Sequence, residues 1–178
     1  VRCHQLGDGV AAVSSAIYGT TLIILYTMST LYHALANEKA KAVFRVFDHV
    51  TIYLLIAGTY TPYTLACLGG ALGWTLFGIV WAAAIVGIVF SSISLRRFQK
   101  LSMICYIAMG WVILIAIKPL WQVIGTLPMV FLVIGGVLYT GGVLFYQMKE
   151  SRYMHSIWHL FVIAGSIFQY FSILLALT

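Results

Sequence analysis

Charge is what this sequence has least of. Only 8% of its 178 residues are Asp, Glu, Lys or Arg, and just four are acidic, whereas an ordinary soluble domain devotes about a quarter of its residues to charge. With 62% hydrophobic residues and a mean hydropathy of +1.02, the chain reads as an integral membrane protein. Cysteine is scarce too. Cys3, Cys67 and Cys105 are too few and too scattered for a disulfide framework or a Cys-based metal site, and read as packing residues. Segments of about ten residues with alternating polarity, which a membrane barrel needs, are also missing. Runs such as "WTLFGIVWAAAIVGIVF" are apolar at consecutive positions, so the expected fold is an all-α helical bundle. No charged stretch precedes a cleavable apolar segment after Val1, so no signal peptide is expected, and the natural protein is expected to extend further upstream.

What is present is a series of apolar runs. A span needs roughly 20 mainly apolar residues, and about six fit: Val10 to Ala36, Phe47 to Leu68, Leu72 to Ile93, Leu101 to Ile117, Leu127 to Met148 and Tyr153 to Leu177. They leave no room for a soluble domain, so residues 1–178 are read as a single polytopic transmembrane domain. Its partners are then membrane lipids. The net charge of +6 does not indicate nucleic acid, because the cations lie in short clusters between apolar runs. Small residues on several spans permit homo-oligomeric association.

The connections alternate in character. "NEKAKAVFR", "SLRRFQK" and "MKESR", after the first, third and fifth spans, contain every Lys and Arg except Arg2 and Lys118. The positive-inside rule places these connections in the cytoplasm, and the visible N- and C-termini on the outer side.

On that topology several unusual residues reach one depth, just inside the cytoplasmic leaflet. His33 lies about one turn before the first basic connection, Asp48 at the start of the second span, and His155 and His159 at the start of the last. The i, i+4 spacing puts the last two on one helix face. Ionisable residues within spans are costly, usually face the bundle interior and mark a site by default. Three imidazoles and an oxygen make the pattern of a catalytic zinc site with water in the open fourth position. Magnesium and calcium prefer oxygen-rich cages. Asp48, the one acid within a span, is the candidate to hold or deprotonate a metal-bound water. Ser29, four residues before His33, is placed to hydrogen-bond in the site or touch substrate.

Each residue also has a plainer reading. The paired histidines fit partly hydrated groups near the headgroups. Asp48 fits a helix-start acid beside Arg45 at i, i+3, and Ser29 a hydroxyl bonded back to its own helix. His49 points about 100° away from Asp48 and is read as interfacial or supporting, and His4 as exposed. Trp74, Trp121, Tyr153 and Trp158 fit an aromatic belt near the span ends. Pro62 fits a kink or widened cavity, and the glycines of "GGVLYTGG", Gly135 to Gly142, fit close helix packing.

Taken together, "STLYHA", "FDHVTIYLLIAGTYTP" and "HSIWHLFVIAGSIFQY" resemble the bacterial haemolysin III-related proteins of the progestin and adipoQ receptor family, which includes the adiponectin receptors. The resemblance covers nearly the whole chain. It implies seven transmembrane helices with the N-terminus inside, and zinc near the cytoplasmic side held by three histidines, here His33, His155 and His159. Asp48 would stand near the metal-bound water with Ser29 beside it. Only six spans are visible, so the family's first helix is absent from this chain. The bacterial inner (plasma) membrane is the expected location.

Two function classes follow. One is a zinc-dependent hydrolase of lipid amides or esters, with ceramide-like amides suggested by the resemblance to adiponectin receptors. The other is a non-enzymatic protein in which zinc staples the first and last spans, acting as a receptor-like sensor, in membrane homeostasis or as a membrane-permeabilising, cytolytic factor. Haem between histidines is a third reading, less in keeping with an i, i+4 pair and an acid.

Overall fold

A computed structural model of the chain describes residues 8–147 and 153–178. The described residues are helical, with no strand. The helices are α1 (Asp8–Ala34), α2 (Glu38–Thr61), α3 (Gly70–Ile93), α4 (Leu95–Trp111), α5 (Ile117–Ile124), α6 (Thr126–Gln147) and α7 (Met154–Leu177). A π-helical stretch, Pro62–Leu68, prolongs α2, and a 3₁₀ stretch, Val112–Ala116, joins α4 to α5. These pieces make six helices long and apolar enough to cross a membrane, and the protein is an integral membrane helical bundle.

The helices outrun the apolar runs that announce them. α2 begins at Glu38 rather than near Phe47, because Asn37 caps it: its side-chain oxygen accepts from the backbone N–H of Lys39 (3.0 Å) and Ala40 (3.1 Å), satisfying two of the orphan donors of the first turn. α4 likewise begins at Leu95 rather than Leu101, with the Ser94 side chain accepting from the Arg97 N–H.

At the other end of that span the helix continues past Lys118 and Pro119 instead of stopping at Ile117. Proline has no N–H to offer the carbonyl four residues back. Here it falls in the first turn of α5, where no intrahelical donor is required, and the tighter 3₁₀ stretch precedes it. Pro62 meets the same problem at the start of the π-helical stretch. The true breaks are glycines: Gly69 and Gly70 have φ of 59° and 54°, and Gly125 has φ 82°, a region that side chains with a Cβ avoid.

The first two basic connections therefore share one end of the bundle, with Lys39, Arg45, Arg97 and Lys100 exposed there, while Gly69 and Gly125 turn the chain at the opposite end; the third, 148–152, lies outside the described residues. Packing is densest between α6 and α7. A Cβ on Gly142 would sit 3.0 Å from the Phe161 side chain, and one on Gly165 would sit 2.9 Å from the Tyr139 ring, so small residues let these helices approach closely. Gly58 of α2 gives the same access to Thr21 of α1.

Buried polar side chains stitch the middle of the bundle. Tyr63 donates to Ser172 Oγ (2.7 Å), which donates to the Pro128 carbonyl (2.6 Å). The hydroxyls of Tyr26 and Tyr139 each lie 2.8 Å from Ser166 Oγ. With no water in the hydrocarbon, such groups must find partners within the protein. Cys67 is buried and Cys105 half-buried, both reduced; Cys3 and His4 lie outside the described residues.

Candidate metal centre and its cavity

His33 stands in the last turn of α1, and His155 and His159 stand in the first two turns of α7. The helical repeat aligns the α7 pair, and the fold brings the end of α1 within side-chain reach of them. Their Nε2 atoms form a nearly regular triangle: His33 to His155 3.2 Å, His33 to His159 3.2 Å, and His155 to His159 3.1 Å. Three imidazole N–H bonds cannot all point into so small a triangle. The spacing instead suits a cation: at metal–nitrogen distances of about 2.0–2.1 Å, tetrahedral ligands lie roughly 3.3–3.4 Å apart. These three residues could hold a metal ion.

No fourth His, Cys, Asp or Glu completes the group among the described residues. Asp48 is not within the triangle's ligand radius. It is buried on α2, 4% exposed, and lines the same cavity as Ser29, His155 and His159. No ion pair within 4.0 Å joins it to Arg45, which is exposed. Ser29 lines the cavity as well, without a hydrogen bond back to its own helix.

The cavity has a volume of about 350 Å³, within the range of small-molecule sites. Asp48, His155 and His159 stand at its basic end. Apolar side chains, including Leu25, Ile52, Ile56, Met103 and Val162, line its length, and it reaches Tyr63 and Gln169. From Asp48 to Tyr63 is fifteen residues along α2 and the start of its π-helical extension, roughly 22 Å at the helical rise. Near that far end Gln169 donates to the Leu132 carbonyl at 3.1 Å, and its Oε1 is buried with no partner among the described residues.

The surroundings hold residues that sequence reasoning assigned elsewhere. Trp158 does not belong to a lipid-facing belt. It is half-buried, its ring 4.5 Å from that of His159 and 5.2 Å from that of Tyr146, and it lines the cavity. Its position between the two histidines of "HSIWH" was the available signal. Trp74, Trp121 and Tyr153 are exposed, as a belt requires. His49 stays outside the triangle: its Nδ1 lies 2.9 Å from the Arg45 carbonyl and its Nε2 3.2 Å from the Tyr146 hydroxyl. Tyr146 also accepts from Gln99 Nε2 at 3.1 Å. Nothing in the sequence pairs Tyr146 with His49, because they meet only where side chains of α2 and α6 reach across the bundle.

The fold and the histidine triangle thus define a polytopic helical membrane protein with a candidate metal centre facing an elongated, mainly apolar cavity. The chain belongs to the haemolysin-III related family, whose model matches residues 2–170. It is 45% identical to Hemolysin-3 of Bacillus cereus over 98% of this chain and 80% of that protein. It is 44% identical to the Hemolysin-3 homolog of Bacillus subtilis (strain 168) over 94% of this chain and 79% of the relative. The human monocyte to macrophage differentiation factor is 25% identical, covering 96% of this chain and 73% of the human protein; this more distant likeness fits the wider adiponectin receptor-like superfamily. No solved structure matches the chain significantly.

Proposed function

We propose that this protein is a zinc-dependent membrane hydrolase acting on lipid amides or esters. Its helices would work as one transmembrane domain in a bacterial inner membrane, with the basic end in the cytoplasm. The observation that carries this reading is the open triangle: three imidazole nitrogens at metal-ligand spacing, no fourth protein donor among the described residues, and a cavity of acyl-chain length beyond. A structural zinc site is closed by four protein ligands, whereas a catalytic one keeps a position free.

His33, His155 and His159 would hold the ion, and a borderline-soft site of three imidazoles favours zinc over magnesium or calcium. Bound zinc supplies Lewis-acid polarisation of a carbonyl and lowers the pKa of water to about 7. Asp48, buried at the cavity wall, takes the proton of the attacking water and returns it to the departing amine or alkoxide. Ser29 offers a hydroxyl to the substrate's polar linkage. Leu25, Ile52, Ile56 and Val162 hold the acyl chain and keep bulk water out.

The test is lipid-amide and lipid-ester hydrolysis by detergent-purified, zinc-loaded protein, with Asp48→Asn alongside. Turnover in the wild type that Asp48→Asn abolishes while zinc stays bound supports the hydrolase. No turnover on either lipid class would sink it. A second reading is favoured by the name of the Bacillus relatives, Hemolysin-3: a membrane-permeabilising protein in which zinc only joins α1 to α7. Dye release from lipid vesicles, unaffected by Asp48→Asn, would decide for that alternative.

A further inference from the structure

A second cavity, of about 690 Å³, opens at the basic end and is bounded by Tyr32, Glu38, Lys41, Arg45, His49 and Gln99. Four of these, Tyr32, Arg45, His49 and Gln99, also line the apolar cavity, so a polar vestibule and an apolar chamber adjoin at a shared wall. Arg45 is the one cation in that wall, and no ion pair within 4.0 Å engages it among the described residues. Its neighbours are held in place: His49 by the Arg45 carbonyl and the Tyr146 hydroxyl, and Gln99 by the same hydroxyl.

The depth of Arg45 is informative. α2 and its π-helical extension span 31 residues, roughly 46 Å at the helical rise, against a hydrocarbon thickness of about 30 Å. The surplus falls at the polar start of α2. Arg45, seven residues in, therefore stands at the headgroup layer. Lys41 is one turn further out on the same face. Among the described residues, Lys41 and Arg45 outweigh Glu38, the one acid lining the vestibule, and Asp48 lines only the apolar chamber.

We infer that the two cavities together bind an amphiphile with an anionic head, its acyl chain in the apolar chamber and its phosphate or carboxylate on Arg45, with Lys41 behind. A guanidinium suits either group because its planar fork donates to two oxygens at once. The inference rests on the reading of the apolar chamber as a lipid site, but not on hydrolysis.

The test is native mass spectrometry of the zinc-loaded, detergent-purified chain offered phosphatidylglycerol, palmitate or phosphatidylcholine. One or both anionic amphiphiles should be retained about tenfold better than phosphatidylcholine, and raising salt from about 0.1 M to about 1 M should shrink the difference. Retention of phosphatidylglycerol alone identifies a phosphate head, and of palmitate alone a carboxylate. Arg45→Gln should abolish the preference with zinc content unchanged, Arg45→Lys should keep part of it, and Lys118→Gln, at the opposite end, should keep all of it. Equal retention of phosphatidylcholine by the wild type overturns the inference, as does an undiminished preference in Arg45→Gln. If Arg45→Gln does not fold, Arg45→Lys and Lys41→Gln serve, and an unchanged preference in both overturns it equally. A wild type that keeps the preference yet hydrolyses neither lipid amides nor lipid esters leaves this inference standing while the hydrolase reading fails, so the two failures are distinguishable.

Discussion

The middle and the basic end of this bundle treat polar side chains in opposite ways. In the middle, Tyr63, Ser172, Tyr26, Tyr139 and Ser166 close hydrogen bonds from helix to helix, and among the described residues only Gln169 Oε1 is buried there without a partner. At the basic end three imidazole nitrogens face one another at 3.1–3.2 Å, and among the described residues no anion stands between them and no ion pair engages the buried Asp48 carboxylate. A satisfied group holds helices together. A convergent group left incomplete implies something that is bound from outside, because the cost of gathering it is not returned by the protein alone.

The sharpest way to break this contrast is to remove half of the triangle. His155→Ala/His159→Ala should reduce zinc, measured by elemental mass spectrometry on detergent-purified protein, from about one per chain to none, since one imidazole cannot replace three. A folded wild type that carries no zinc after chelator-free purification would show that the histidines are incomplete for another reason.

Asp48→Asn comes next. It should keep the zinc while lipid hydrolysis falls by about 10²–10⁴-fold, the usual contribution of a positioned general base. Loss of zinc in this variant would instead make Asp48 a ligand and close the site.

Gly165→Leu probes the packed region. The added side chain meets the Tyr139 ring, and overpacking of this kind costs about 1–3 kcal/mol. The expected result is a lower midpoint of unfolding in mixed micelles. The smallest effect belongs to Ser172→Ala, which removes two hydrogen bonds of a kind worth about 0.6 kcal/mol each within membranes. Zinc content should not change. If Ser172→Ala strips the metal, the two regions are coupled and the contrast fails.

The comparison also explains what was legible in advance. Six spans can be read from hydropathy because hydrocarbon tolerates little else, but their ends cannot. Glu38 to Arg45 lies outside the apolar run and is helical because Asn37 caps it. Pro119 looks like a loop residue, yet it sits in a first turn where its missing N–H costs nothing. Trp158 looks like a belt residue because aromatic chemistry is the same at a lipid interface and in a cavity wall; only its neighbours, His159 and Tyr146, distinguish them.

By itself the sequence determined that the chain spans a membrane, that its cations gather at one end, and that His33, Asp48, His155 and His159 share a depth. The helical rise and the cost of burying charge suffice for that. It also aligned His155 with His159, since four residues make one turn. Only the tertiary structure decided that α1 and α7 come within side-chain reach of one another, so that His33 completes a triangle, and that Asp48 stays outside it. It alone set Arg45 between a polar vestibule and an apolar chamber. Depth is a one-dimensional property that composition encodes along each helix. Lateral neighbours depend on which helices the glycines allow to approach, and that is settled only when all six pack at once.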